Sequence, residues 1–287
     1  MESIPTVQTA GLREQLEQFR DSHPYQHLIV KGTHWEYIAS GKGKHALVLL
    51  GGELSVGETC FQTITRLEEH FRVISPSYPP AGRIRPIIEG LTAILEKEGY
   101  SRAHLFGHSL GAGVAHAYMH LQPDRVDRLV LDRFGLCTPA HVIAARLFFK
   151  LPFPLMRSYY YRNTRRLLSR PTPGFSEDQQ DFFNAYLDEL FNRLHTPETL
   201  MGQFRLLIDL FDHANEYGAF RPLERPGQVL LILVDDDRGF TPQERAALIA
   251  AYPGAKMHTF KQGGQLSGLL LGEEFNSILE AFLLDGE

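Results

Sequence analysis

The chain lacks the features that mark several large classes of protein. It has 287 residues but only two cysteines, Cys60 and Cys137. That is too few for a disulfide framework, and their spacing is not that of a metal–thiolate site. Two free thiols in a reducing compartment are expected, with no metal and no cofactor. The longest apolar runs, such as VLLILV at 229–234, fall far short of the ~20 residues that a membrane-spanning helix needs. The opening MESIPTVQTAGLREQLEQFRD has no basic segment leading into an apolar one, so no secretory signal is read there and a cytoplasmic location is expected. Basic residues are not in excess: 29 Lys and Arg stand against 34 Asp and Glu, for a formal net charge of -5. Nucleic acid is therefore not an expected partner. No internal repeat or low-complexity tract is apparent.

What is present suits a large soluble core. Hydrophobic residues make up 43% of the chain and charged residues 22%, and the mean hydropathy is -0.19. Short strand-like runs alternate with helical patterns: HLIVKG, WEYIAS, HALVLLGG, FRVISPSY, AHLFGHS, DRLVLDRF, QVLLILVDDD and KMHTFK. Several are near-continuous runs of β-branched residues and Leu, bounded by Gly, Pro or Asp, as in strands buried on both faces of a parallel sheet. Between them, TPQERAALIAAY carries Thr241 as N-cap, Pro242 at the first helical position and Glu244 three residues on, a capping box. EEFNSILEAFLL places Phe275, Ile278, Leu279 and Phe282 on one helical face. The alternation predicts an α/β fold with a doubly wound, mostly parallel sheet.

One block departs from the alternation. Residues 138–220 contain helix-like pieces broken at PTPG (171–174) and HTPE (195–198), rich in aromatics and arginines. This predicts a helical cap or lid inserted into a core formed by 1–137 and 221–287, with most of the aromatics packing the insertion's own core. A membrane-surface helix within FFKLPFPLMRSYYYRNTRR is the less favoured reading.

The sharpest motif is Gly107-His108-Ser109-Leu110-Gly111, a G-x-S-x-G between a strand-like run and a helix-like run. A tight strand-to-helix turn would hold Ser109 in a strained conformation with Oγ exposed above the sheet. The helix N-terminus would turn free N–H groups toward developing negative charge. With this elbow, the glycine loop LVLLGGELSVGE, the helical block and the acid turn LLILVDDDRGFTP, the chain resembles the α/β-hydrolase fold family over most of its length.

The resemblance implies a serine-hydrolase site. Ser109 is the nucleophile and Asp237 the acid that orients an imidazole, with Asp235 and Asp236 as rivals for that role. The N–H groups of Leu110 and Glu53 form the oxyanion hole. Gly52, His108, Asp132 and Leu266 are pocket candidates. The family has a histidine after the last strand, where this chain reads GGQLSGLL, so Gln265 occupies the position of the base. Glutamine has no proton-accepting equilibrium near neutral pH, and Ser109 is left poorly activated.

Two further departures surround Ser109. Glu53 stands where the family has a small or apolar residue; its side chain either swings to solvent or faces the pocket, where it opposes an oxyanion. Asp132, at a strand end, is an alternative acid, a partner for Arg133 or part of a new arrangement in which Glu53, Asp132 and Asp237 ring Ser109 with carboxylates. Seven histidines are candidate substitutes for the base: His108 pointing away from Oγ, His104 and His116 in the core, His45 opening a strand, His258 within the last strand, and His141 and His213 in the cap, where overhanging the pocket is the alternative. For each a structural role is the favoured reading. Three functions stay open: an esterase-like hydrolase with weak turnover, a non-catalytic binder of a small ligand with an apolar part, and a lyase using Glu53 or Asp132 as base. The oligomeric state is not legible.

Overall fold

A computed structural model describes residues 11–134, 143, 146–148, 150–168, 176–218, 221–223, 225, 227–236, 241–261 and 272–285. All eight strand-like runs form strands of one sheet: β1 (Gln26–Val30), β2 (Thr33–Ser40), β3 (His45–Leu50), β4 (Phe71–Ser77), β5 (Ala103–His108), β6 (Val126–Asp132), β7 (Val229–Val234) and β8 (Lys256–Phe260). The order across the sheet is β1-β2-β4-β3-β5-β6-β7-β8. The β1–β2 and β2–β4 pairs are antiparallel, and every pair from β4 to β8 is parallel.

The central strands send alternate side chains to opposite faces, as the period of two requires. Ala46, Val48 and Leu50 of β3 join one core cluster, and Leu47 and Leu49 join the other. The first cluster is covered by α3 (Ile84–Lys97) and α4 (Leu110–Leu121), the second by α1 (Leu12–Ser22) and α2 (Phe61–Leu67). Between β6 and β7 the described residues include α5 (Phe153–Leu168), α6 (Glu177–Glu189), a π turn at Leu190–Leu194 and α7 (Pro197–Asp212), with no strand among them. The HTPE break separates the π turn from α7, with Thr196 capping and Pro197 at the first helical position. α8 (Pro242–Ala251) starts on the expected Thr241–Glu244 capping box. α9 (Gly272–Leu283) buries Phe275, Leu279 and Phe282. No helix among the described residues is long and apolar enough to cross a membrane.

The helices of the β6–β7 block are seated on the core by polar ties as well as apolar contact. Asp209 of α7 accepts the Ile84 N–H at the start of α3 at 2.8 Å and the Tyr217 hydroxyl at 2.7 Å. Gly202 presses on Pro80, where a Cβ would come within 2.7 Å of backbone. The buried Asp209 carboxylate thus caps a helix from another part of the chain.

Behind α4 lies a buried polar cluster. His116 is buried and its Nδ1 hydrogen-bonds the Tyr252 hydroxyl, and the His120 ring stands 4.6 Å away. Burial, reinforced by the charge of His120, lowers the His116 pKa from 6.5 to about 3. The folded protein therefore binds fewer protons than the unfolded chain between these two values. The stability from neutral His116 is complete above about pH 6.5 and is lost as the pH falls toward 3. His116 alone contributes a slope of about 1.4 kcal/mol per pH unit in that window. The urea midpoint is expected to fall steadily from pH 6.5 to pH 5, and His116→Gln, which stays neutral, should flatten that decline. An equally steep decline in the variant would remove His116 as its source.

Candidate functional site

Two adjacent parallel strands build the site. β3 and β5 run in register with Leu50 opposite Gly107, so the residues just beyond each strand emerge at the same level above the sheet. Beyond β5 the chain turns sharply into α4. Ser109 sits at the turn with φ 51° and ψ -116°, a conformation that costs a non-glycine residue about 1–3 kcal/mol. The turn is close-packed. A Cβ on Gly111 would lie 2.0 Å from the Leu50 carbonyl oxygen, and one on Gly107 would lie 2.5 Å from the Ala112 Cα. The Ser109 N–H bonds the Asp132 carbonyl at 3.1 Å. Leu110 opens α4, so its N–H has no intrahelical acceptor.

Beyond β3 the loop carries Glu53, and the carboxylate faces the elbow. The Ser109 hydroxyl donates to it, with Oε1 and Oε2 both 3.2 Å from Oγ. Of the two directions left open by the sequence, Glu53 takes the inward one. The reason lies in the backbone around it. The Gly51 carbonyl accepts from the Tyr78 hydroxyl at 3.2 Å, and the Gly52 carbonyl accepts from the Ser55 N–H at 3.0 Å. The Leu54 carbonyl bonds His195 Nε2 at 2.9 Å, and the Ser55 carbonyl accepts from Gln203 Nε2 at 3.4 Å. Burial lowers the His195 pKa, which favours the neutral ring that donates to Leu54. Four carbonyls around Glu53 are therefore held, two of them by side chains from beyond β6.

Gly52 provides the space between loop and elbow. A Cβ there would come within 3.3 Å of His108 Cδ2 and 3.5 Å of Ser109 Cβ. His108 turns its Nδ1 to Asp132 Oδ2 at 2.6 Å, and the carboxylate is fully buried. The pair follows from register, because His108 and Asp132 are direct partners on the parallel strands β5 and β6. Asp132 thus forms a carboxylate–imidazole pair with His108 next to the elbow, an arrangement not among those read from the sequence. His104 and His116 are buried, as expected. His213 closes α7 against Asp209.

The surroundings carry the imprint of these carboxylates. Burial, with Glu53 beside it, raises the Tyr160 pKa well above its ordinary value. Tyr78 moves in the same direction through burial, with Cys60 and Glu53 contributing. Burial and the charge of Asp132 push the Cys60 thiol up to about 12, so it is a poor nucleophile near neutral pH. Tyr160 packs against Phe204 and Phe191, at ring separations of 5.0 and 6.1 Å. Asp235 and Asp236 form an exposed turn after β7. Asp237, Gln265, Leu266, His141 and Cys137 lie outside the described residues.

Comparison with known proteins bears on the fold that carries this site. The model of a family described as the alpha/beta hydrolase family matches residues 47–277. The chain belongs to the alpha/beta hydrolase family. Within the family it is similar to a 2-hydroxy-6-oxononadienedioate/2-hydroxy-6-oxononatrienedioate hydrolase from Burkholderia vietnamiensis, 27% identical over 90% of this chain and 94% of that one. Among solved structures, an enol-lactonase from Burkholderia xenovorans has a TM-score of 0.70 at 17% identity, covering 90% of this chain and 99% of that one. A meta-cleavage product hydrolase from Pseudomonas fluorescens has a TM-score of 0.69 at 19% identity, covering 91% and 98%. These family structures support the fold of the eight-stranded sheet and its helices.

Proposed function

We propose that this family member is a slow serine hydrolase for a small, uncharged ester or related acyl compound. Ser109 is the nucleophile, and Glu53 accepts the proton that the Gln265 position cannot take. The observation that carries this reading is the hydrogen bond from the Ser109 hydroxyl to both Glu53 oxygens at 3.2 Å. A nucleophile hydrogen-bonded to a fixed acceptor is the geometric requirement for base-assisted attack.

The chemistry follows from that contact. Oγ adds to the carbonyl carbon while its proton passes to the Glu53 carboxylate. The Leu110 N–H stabilises the oxyanion from the head of α4. The Glu53 carboxylic acid then protonates the alcohol as its C–O bond breaks, leaving an acyl group on Ser109. Water reverses the sequence: its proton goes to Glu53, its oxygen adds to the acyl carbon, and Oγ leaves and recovers the proton. Turnover is slow because a carboxylate is a weaker base than an imidazole and, while ionised, repels the developing oxyanion.

The same charge argues about substrate. The relative from Burkholderia vietnamiensis is named for dioate substrates. Here an anionic group beside Ser109 disfavours a second negative charge, which favours a neutral acyl compound with an apolar body. We assign residues 138–220 as the cap over this pocket, with Tyr160 part of its apolar wall. The tie from His195 to the Leu54 carbonyl at 2.9 Å supports cap and catalytic loop acting as one unit.

Labelling tests the nucleophile. A fluorophosphonate probe is expected to modify the chain at Ser109, a neutral short-chain ester should slow the labelling, and Ser109→Ala should show none. A chain that binds the ester yet never takes the label would instead be a ligand-binding member of the family.

A further inference from the structure

We infer that the outer face of the β1–β2 hairpin is a binding site for a divalent transition-metal ion, held by His27, His34 and Glu36. The three side chains meet through strand register. His27 is the direct antiparallel partner of Glu36, and His34 precedes Glu36 by two residues on the same strand, which puts all three on one face. The opposite face carries Trp35 and Tyr37, both buried in the core, so the register cannot slip without turning the pair inside out. His27 Nδ1 lies 3.8 Å from Glu36 Oε1, and the His27 and His34 rings stack with centroids 5.2 Å apart.

One donor atom from each residue falls within 4.8 Å of the other two. Among the described residues this is the one place where three such donors converge. A tetrahedral ion with bonds of about 2.0–2.1 Å holds its donors about 3.3 Å apart. The remaining closure is small, and all three side chains are exposed. Two imidazoles and one carboxylate form a borderline donor set that selects Zn²⁺, Cu²⁺ or Ni²⁺ over Mg²⁺ and Ca²⁺, which take oxygen ligands. Three protein ligands leave a fourth position for water or an outside group. The hairpin is an edge of the sheet, with β1 outermost, so an ion there would also tie the two terminal strands together. Nothing in the amino-acid spacing announces the site, because one of its three ligands lies across a turn from the other two.

Zn²⁺ titration of the full chain by calorimetry tests this site, with Co²⁺ absorption as a second reading. One equivalent of Zn²⁺ is expected to bind, Co²⁺ should give the visible bands of an ordered low-coordinate site, and Mg²⁺ should give neither. His34→Gln should lower the Zn²⁺ affinity by about 100-fold, at least the loss seen when a group supporting a ligand is removed. Glu36→Gln should weaken it in the same direction. Both changes are on an exposed face, and ester hydrolysis should be unaffected. The inference is overturned if no equivalent of Zn²⁺ binds, or if one equivalent binds with unchanged affinity in the His34→Gln, Glu36→Gln double variant.

Discussion

Glu53→Gln is expected to lower kcat for a neutral ester by about 10²- to 10³-fold, within the range typical of removing a general base, and to leave KM nearly unchanged. Glutamine has the same length and can still accept the Ser109 hydrogen bond, but it cannot take the proton. The loop should not move, because its position is set by the bonds to the carbonyls of Gly51, Gly52, Leu54 and Ser55 rather than by the carboxylate. The direction of the result separates two roles. If the carboxylate only obstructs the oxyanion, the neutral amide relieves the repulsion and adds an N–H donor, so the rate should rise. If it is the base, the rate falls, and fluorophosphonate labelling of Ser109 slows in parallel. An unchanged or increased kcat would sink the assignment of Glu53 as base.

The extent to which the site was legible in the sequence tracks the range of the interactions. The eight strands and the Thr241–Glu244 box depend on neighbours within a few residues, and the structure has each of them where the pattern predicts. The elbow is local too: Gly107, Ser109 and Gly111 specify a close strand-to-helix turn whatever surrounds them. The direction of Glu53 is not local. It depends on β3 lying beside β5, and on His195 and Gln203, more than 140 positions away in the chain, holding the loop carbonyls. The Asp132–His108 pair likewise requires β6 beside β5. Adjacent strand ends in a parallel sheet point the same way, so a predicted strand order would have nominated both contacts. Strand order is what local periodicity does not contain.

The second large effect concerns residue 265, the position proposed for the base. Gln265→His is expected to raise ester hydrolysis by about tenfold or more in the natural background, and by about 10³-fold when added to Glu53→Gln. The contrast comes from competition for one proton. In the natural chain the Ser109 hydroxyl already donates to Glu53, so a new imidazole must draw it away before it contributes. In Glu53→Gln that carboxylate acceptor is gone, and an imidazole at the proposed base position recovers what a triad base commonly supplies. The two substitutions should therefore be strongly non-additive, as expected of groups that serve one hydroxyl. The pH profile gives an independent reading, because the rescued rate should decline as the pH falls through about 6.5, where an ordinary histidine takes up its proton. A double variant no faster than Glu53→Gln alone, with Ser109 still open to the probe, would mean that residue 265 does not reach the nucleophile. The lost base would then have to be sought elsewhere in the chain.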